Sequence, residues 1–273
     1  MQIVRSVEEM VKRAWAWRRE GLRVGFVPTM GYLHRGHTSL MARARQDCDV
    51  LVVSVYVNPL QFGPTEDLAR YPRDPEGDAH ACEAAGVDVL FLPEVLYPPG
   101  FKTGVAVREV TARWEGAARP SHFDGVATVV ARLFGIVQPT LAVFGEKDFQ
   151  QLAVVRTMTR DLALPVRIVP GALVRDDDGV ALSSRNVYLS PEQRVRARSL
   201  HRALHTMRDM AGATVADRLA AGHAVIEADS IDYLAIVDAD TLDPVTTLAG
   251  PARAIVTARY GSVRLLDNVE ILP

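Results

Sequence analysis

The sequence has few cysteines, no long apolar run and almost no net charge, and each shortage excludes a class of protein. Its two cysteines, Cys48 and Cys82, stand outside any metal-site pattern, so we expect reduced thiols. No apolar run approaches the roughly 20 residues that a membrane-spanning helix needs. The formal net charge of -2 provides no overall basic field to attract nucleic acid or an anionic membrane. We therefore expect a soluble, cytoplasmic protein that binds neither nucleic acid nor membrane.

What the chain does contain is typical of a globular protein. Hydrophobic residues make up 48% of its 273 residues and charged residues 23%, enough for one large domain or two modest ones. The first 20 residues have the pattern of an amphipathic helix interrupted by charges, which is not the pattern of a signal peptide.

Apolar runs alternate with helix-like segments through the first two thirds of the chain. We expect strands at 22–27, 50–57, 87–92, 141–144 and 166–170, and helices at 38–46, 75–85, 125–137 and 149–161. Strands that are apolar throughout, separated by helices, predict an α/β fold with a Rossmann-like parallel sheet and helices on both faces. Ligands of such folds bind beyond the carboxyl ends of the strands. We assign residues 1–174 to this domain.

The pattern changes near Arg175, where an acidic turn is followed by ALSSRNVYLS. Helices are expected at 191–210 and 215–229, and short strands at 233–237, 252–258 and 263–267. Residues 175–273 are therefore predicted to form a smaller α+β domain.

The segment FVPTMGYLHRGHTSL, from Phe26 to Leu40, contains the first functional motif. It predicts a strand, a glycine-containing turn and the first turn of a helix, with His34 and His37 three residues apart on one helix face. The start of a helix attracts phosphate, and two imidazoles add donors for charge that builds on a polyphosphate. Two solvated histidines, or a zinc site that lacks its further ligands, are the alternatives.

Three more polar clusters follow predicted strands or the domain boundary. The amides of Asn58 and Gln61 suit a small polar substrate, although Asn58 also suits a simple turn. Lys147 supplies a charge for phosphate, or forms a surface pair with Asp148. The run SSRN at 183–186 is a compact phosphate-binding set, or a helix cap.

Two further groups of charged residues have weaker patterns. Arg119 and His122 are positioned to meet an anion. Asp74, Glu76 and Asp78 could carry Mg²⁺ through water, because Mg²⁺ uses few carboxylates in addition to phosphates, but a solvated helix start explains them equally well.

Four motifs follow one another in a fixed order over residues 25–189: PTMGxLHxGH, VNPxQFG, FGEKDxQQL and DGxAxSSRN. In these motifs and their order, the chain resembles the pantoate–β-alanine ligases. That family is related to the nucleotidyltransferases with a HIGH motif and to class I aminoacyl-tRNA synthetases. The resemblance implies that HxGH has the role of the HIGH motif in this chain, and that SSRN occupies the position of the KMSKS loop of those relatives. The resemblance implies a homodimer. We expect the smaller C-terminal domain to close over the site, with residues 176–186 as a loop that shields a reactive intermediate from water.

The resemblance also implies a reaction in two steps. The carboxylate of pantoate attacks the α-phosphate of ATP, which gives pantoyl adenylate and pyrophosphate; the amine of β-alanine then forms the amide of pantothenate and releases AMP. Mg²⁺ accompanies ATP, and its ligands are not assigned.

Position by position, the resemblance implies a catalytic set of three residues, with His37 as proton donor: His34, His37 and Lys147. It implies that ATP contacts Met30, Gly31, Tyr32, Leu33, His34, Arg35, Gly36, His37, Gly145, Glu146, Lys147, Asp148, Val174, Leu182, Ser183, Ser184 and Arg185. For pantoate and β-alanine it implies Gln61, Gln151 and Asn58.

The chain departs from the family pattern at four positions without losing an assigned chemical group. Arg35 stands where an acidic residue is expected and Tyr32 where a small one is; Tyr56 and Leu182 are also variants. Two other functions stay open: a nucleotidyltransferase that stops at an adenylated product, and a nucleotide-sensing or tRNA-binding module. Neutral charge disfavours RNA binding, and the presence of every assigned charged group disfavours a catalytically inactive homologue.

Overall fold

The computed structural model describes residues 1–64 and 66–272. These residues form two compact units. The first consists of Met1–Glu146 and Val154–Ala172, and the second of Lys147–Ala153 together with the described residues from Leu173 onward. The predicted domain boundary after residue 174 lies close to Ala172, whereas nothing in the sequence pattern indicated that Lys147–Ala153 groups with the C-terminal unit.

The first unit contains a parallel sheet. Its strands are β1 (Gln2–Val4), β2 (Val24–Thr29), β3 (Val50–Val55), β4 (Val89–Phe91), β5 (Leu141–Gly145) and β6 (Arg167–Gly171). Their order across the sheet is β1-β4-β3-β2-β5-β6, and every paired neighbour runs parallel. Because the chain leaves β2 toward one edge and later reaches β5 on the other side of β2, the sheet has a topological switch beside β2.

Helices cover both faces of this sheet, as predicted. The helices along this part of the chain are α1 (Val7–Arg19), α2 (Arg35–Arg45), α3 (Pro75–Ala84), α4 (Glu115–Ala118), α5 (His122–Val137) and α6 (Phe149–Asp161), whose residues up to Ala153 belong to the second unit. Neighbouring residues of a strand point to opposite faces. Val27 accordingly packs in one cluster with Met41 of α2, whereas Phe26 meets Phe134 of α5 edge to face.

Two element predictions for this unit need correction. Gln2–Val4 is an edge strand paired with β4, and the N-terminal helix begins only at Val7, after Ser6, whose hydroxyl accepts from Glu9 N. Helix α2 begins at Arg35 rather than at residue 38, because His34 caps it. A histidine is an uncommon cap, so the earlier start was not apparent from residue type.

The second unit contains an antiparallel sheet beside two helices. Helices α7 (Pro191–Asp209) and α8 (Val215–Val225) precede β7 (Ser230–Asp238), β8 (Ala252–Tyr260) and β9 (Val263–Ile271), which pair in the order β7-β8-β9. Leu204 of α7 and Val256 of β8 belong to one buried cluster. The predicted α+β composition is confirmed, and helix α8 is shorter than the predicted 215–229. No helix in the described part of the chain has the length and apolar character needed to cross a bilayer.

Candidate active site

The loop that follows β2 has a backbone conformation that a buried carboxylate maintains. Gly31 has φ +87° and Tyr32, a non-glycine residue, has φ +52°, both in the left-handed region. Asp78 of α3, 3% exposed, accepts hydrogen bonds from Tyr32 N at 3.0 Å and from Leu33 N at 2.7 Å. A Cβ at Gly31 would lie 2.8 Å from both Asp78 Oδ2 and Val55 Cγ1, so this position requires glycine.

His34 and His37 form a reciprocal cap at the start of α2. The Nδ1 atom of His34 accepts from Gly36 N at 3.2 Å, and the Nδ1 atom of His37 accepts from His34 N at 3.2 Å. The two rings lie with their centroids 4.0 Å apart. Since an accepting Nδ1 carries no proton, each neutral imidazole has its proton on Nε2. Both Nε2 atoms are therefore hydrogen-bond donors.

Asn58 lies in the loop after β3 and is buried, with 1% of its surface exposed. Its Oδ1 accepts from Leu60 N at 3.3 Å and from the Tyr97 hydroxyl at 2.9 Å. Its Nδ2 donates to Gly125 O and to Gln61 Oε1, both at 3.0 Å. These four bonds within the protein match the hydrogen-bonding capacity of one amide side chain, with two donors and two lone pairs. The predicted contact of Asn58 with substrate stays a prediction, and in this conformation its side chain positions Gln61.

Arg119 and His122, which the sequence suggested for meeting an anion, hold the backbone of Gln61. Arg119 forms a bidentate ion pair with Glu66, with both distances at 2.7 Å, so its charge is already balanced. It also donates to His122 Nε2 at 3.1 Å, and a guanidinium has no lone pair to offer. His122 must therefore carry its proton on Nδ1, which donates to Gln61 O at 2.8 Å. Burial, followed by the nearby Arg119 charge, lowers the pKa of His122 to about 4.

Lys147 lies in the second unit, where its backbone is held by the C-terminal sheet. Asn268 of β9 donates its side-chain N–H to Lys147 O at 2.8 Å, and Arg253 of β8 donates to Asn268 Oδ1 at 2.8 Å. The Arg253 guanidinium also lies 4.3 Å from the ring centroid of Phe149. The Lys147 ammonium is 3.5 Å from Asp148 Oδ1, a long and half-exposed ion pair that contributes little to stability.

A tight turn in the second unit brings two of the predicted ATP-binding residues together. Leu182 N donates to Val174 O at 3.0 Å, so these residues stand opposite each other at the base of the turn. Arg194 of α7 pairs with Asp176 at 2.7 Å and with Asp178 at 2.8 Å. The Arg194 bond lowers the pKa of Asp178 to about 2. These ion pairs tie the acidic turn to α7; closure of residues 176–186 as a shielding loop stays a prediction.

The SSRN run forms a short 3₁₀ helix from Ser184 to Tyr188. Ser183 caps it, since its hydroxyl accepts from Arg185 N at 3.3 Å. Ser184 is buried, whereas Arg185 is partly exposed. The Asn186 Nδ2 atom donates to Ala181 O at 3.0 Å and fixes the start of this helix against the preceding turn.

Two of the three acidic residues suggested for magnesium have structural tasks in the first unit. Asp74 caps α3 by accepting from Gly77 N at 3.0 Å, and Asp78 accepts from the loop after β2. Burial raises the pKa of Asp78. Among residues 1–64 and 66–272, no three His, Cys, Asp or Glu side chains cluster as metal ligands. The side chains described here thus do not compose a metal cage of their own.

The predicted site residues are divided between the two units. The first contains Met30, Gly31, Tyr32, Leu33, His34, Arg35, Gly36, His37, Asn58, Gln61, Gly145 and Glu146. The second contains Lys147, Asp148, Gln151, Val174, Leu182, Ser183, Ser184 and Arg185. Of these, Gln151 is partly exposed in the first turn of α6.

Sequence reasoning missed Tyr97, Glu66 and Asn268, which hold site residues from a distance along the chain. Each is an ordinary polar residue outside the four motifs, and its partner lies far away in the sequence, so no local signal marked it.

Comparison with known proteins supports the motif resemblance over the whole chain. The family model described as "Pantoate-beta-alanine ligase" matches residues 2–270. A pantothenate synthetase of Thermus thermophilus is 55% identical, over 99% of this chain and 100% of that protein. That of Trichlorobacter lovleyi is 51% identical, over 99% of each chain.

Solved structures show the same similarity. A crystal structure of the Thermus thermophilus pantothenate synthetase superposes with a TM-score of 0.95 at 54% identity, over 100% of both chains. A pantoate–β-alanine ligase from Francisella tularensis, complexed with "Beta-gamma ATP and Beta-alanine", gives 0.83 at 29% identity, over 98% of this chain and 97% of that one. With the family model matched almost from end to end, the chain belongs to the pantoate–β-alanine ligase family.

Proposed function

We propose that this chain condenses (R)-pantoate with β-alanine in a reaction that consumes ATP, through a pantoyl-adenylate intermediate. The pantoate carboxylate attacks the α-phosphorus of ATP, a P–O bond forms and pyrophosphate leaves with the electrons of the broken P–O bond. The β-alanine amine then attacks the acyl carbon, AMP leaves and the amine loses a proton. Family membership supports the overall reaction, and the bound ligands named for the Francisella protein support ATP and β-alanine as substrates.

The reciprocal cap of His34 and His37 is the observation that carries the mechanism. Because each Nδ1 accepts a backbone N–H, each imidazole directs a protonated Nε2 as donor. Attack of a carboxylate on ATP brings two anions together, and fixed donors aimed at the phosphates offset the charge that builds in the transition state. We assign both histidines to the phosphates of ATP, with His37, the proton donor of the family pattern, acting there through a hydrogen bond from Nε2.

We assign the remaining roles by position in the family motifs. Lys147 and Arg185 supply positive charge to the phosphates, with Ser183 as a further donor. Gly145 leaves room for ATP to approach the backbone: among the described residues, a Cβ there would meet only Leu40, at 3.8 Å, so protein packing does not demand glycine. Gln61 and Gln151 hold pantoate, and Asn58 acts through Gln61.

We propose that magnesium enters as the MgATP complex and is a partner of the substrate. Mg²⁺ keeps several waters and binds phosphates readily, so it does not need a cage of protein carboxylates. The structural tasks of Asp74 and Asp78 support this assignment. A cytoplasmic homodimer is a further proposal, supported by the family resemblance; sedimentation of the purified protein tests the dimer.

Analysis of the nucleotide product tests the proposed reaction. The protein is incubated with MgATP, pantoate and β-alanine, and nucleotides are separated by ion-exchange chromatography. We expect AMP, pyrophosphate and pantothenate in equal amounts. ADP and phosphate would indicate an acyl-phosphate route, and an adenylated product that persists after β-alanine is added would indicate a nucleotidyltransferase; either result overturns the proposal.

A further inference from the structure

The orientation of the Asn58 amide is set by backbone groups whose polarity cannot change. Leu60 N–H lies 3.3 Å from one end of the amide and can only donate. Gly125 C=O lies 3.0 Å from the other end and can only accept. The oxygen of Asn58 must therefore face Leu60 and its nitrogen must face Gly125.

This orientation determines which end of the Gln61 amide faces away from Asn58. The Asn58 nitrogen donates at 3.0 Å to the near end of the Gln61 amide, which must then be the oxygen Oε1. The other end is Nε2, which lies 3.1 Å from Met30 Sδ. A thioether sulfur is a weak acceptor, so this contact is readily replaced by one to a ligand oxygen. Gln61 consequently presents N–H donors.

The Tyr97 hydroxyl is the third fixed group on Asn58. Since Asn58 Oδ1 accepts, the Tyr97 hydroxyl donates to it at 2.9 Å. Burial raises the pKa of Tyr97, so the hydroxyl keeps its proton. The ring packs against Phe101 at 4.8 Å and edge to face with Tyr56 at 6.0 Å, contacts that do not involve the hydroxyl.

Gln61 is also fixed through its main chain. His122 Nδ1 and Arg119 Nη2 both donate to its carbonyl, at 2.8 Å and 3.2 Å. The residue is buried, with 8% of its surface exposed. Because these bonds hold the main chain independently, the hydrogen bonds from Tyr97 through Asn58 to Gln61 control only the rotation of the Gln61 side chain.

We propose that Tyr97 is a positioning residue that, through Asn58, holds Gln61 as a donor and thereby selects a substrate oxygen at that point. This inference rests on the proposed function, in which Gln61 contacts pantoate. A hydroxyl or carboxylate oxygen of pantoate satisfies the Gln61 N–H, whereas an ammonium group opposes it.

Tyr97→Phe tests the proposal, because it removes the hydroxyl and keeps the ring. We expect KM for pantoate to rise about fivefold to tenfold, the effect of one lost hydrogen bond of about 1 kcal/mol, with KM for ATP and the melting temperature little changed. Tyr260→Phe is the matched control: Tyr260 is a buried tyrosine of the second unit whose hydroxyl lies 3.4 Å from Ser199. We expect it to leave every KM unchanged.

The coupling of Tyr97 to Gln61 gives a second readout. In a Gln61→Ala background, Tyr97→Phe should cause no further loss of pantoate affinity, measured by calorimetry with a non-hydrolysable ATP analogue. An unchanged pantoate KM in Tyr97→Phe, equal losses for pantoate and ATP, or full additivity with Gln61→Ala would each overturn the proposal. A wild-type protein that does not turn over pantoate would instead refute the proposed function itself.

Discussion

Asp78 holds Leu33 through a hydrogen bond of 2.7 Å from the Leu33 backbone to its carboxylate, and this bond fixes the approach to the histidine cap. The second carboxylate oxygen accepts from the backbone N–H of the preceding residue, Tyr32, at 3.0 Å. A buried carboxylate with two acceptors is thus matched to two backbone donors that would otherwise be unpaired. Because His34 follows Leu33 directly, the position of the first imidazole depends on this carboxylate.

Asp78→Asn should raise KM for ATP about tenfold or more, because the amide nitrogen must face one of the two backbone donors and leaves it unpaired, at about 1–3 kcal/mol. Asp74→Asn in the same helix is the matched control, since asparagine caps a helix as well as aspartate. Steady-state kinetics over a range of ATP concentrations measures both. If added Mg²⁺ restores the Asp78→Asn variant, Asp78 binds metal and the positioning role is wrong.

Gly125→Ala should disrupt the first unit, whereas Gly135→Ala in the same helix should not. A Cβ at Gly125 would lie 2.2 Å from Leu60 O and 2.6 Å from Gln61 N, both backbone atoms that cannot turn aside. A Cβ at Gly135 would meet no atom of the described residues within 4 Å, and alanine favours helix over glycine by about 1 kcal/mol. Thermal unfolding should show a clear loss for the first variant and no loss, or a small gain, for the second. Equal melting temperatures would contradict the described packing of α5.

His122 should make the protein less stable as the pH falls from 6.5 to about 4. In the unfolded chain this imidazole has its ordinary pKa of 6.5, and in the folded chain burial and Arg119 lower the pKa to about 4. Between these values the unfolded chain binds a proton that the folded chain does not, so the free energy of unfolding decreases on acidification, by up to about 3 kcal/mol. Above pH 6.5 the group is neutral in both states and contributes no pH dependence.

Urea unfolding at several pH values measures this effect. His122→Asn retains a donor for the Gln61 carbonyl but does not titrate, so its stability should fall less between pH 7 and 4 than that of the wild type. His223→Asn, at an exposed position, serves as control and should follow the wild-type curve. Parallel curves for wild type and His122→Asn would show that His122 does not carry the pH dependence.

The sheet and the motif loops could be predicted because their signals are local. Strands that are apolar almost throughout, such as Val50–Val55, followed by polar turns, are typical of a buried parallel sheet. The family motifs likewise occupy short segments, and the family they predicted is confirmed. The edge strand Gln2–Val4 was missed because three residues ahead of an amphipathic helix carry little periodicity.

The supports of the site could not be predicted because they join residues far apart in the sequence. Asn268 is 121 residues from the Lys147 carbonyl it binds, and Tyr97 is 39 residues from Asn58. Such pairs depend on the tertiary fold rather than on local sequence. The anion role suggested for Arg119 illustrates the same point, since its partner Glu66 lies 53 residues away.

Exchange of labelled pyrophosphate into ATP, with β-alanine left out, reports directly on whether the protein forms an acyl adenylate. We expect exchange that requires pantoate, is lost in Lys147→Met and His37→Ala, and stops when β-alanine consumes the intermediate and AMP appears. Exchange that proceeds without pantoate, or no exchange with pantoate although ATP binds, would contradict a pantoyl-adenylate intermediate.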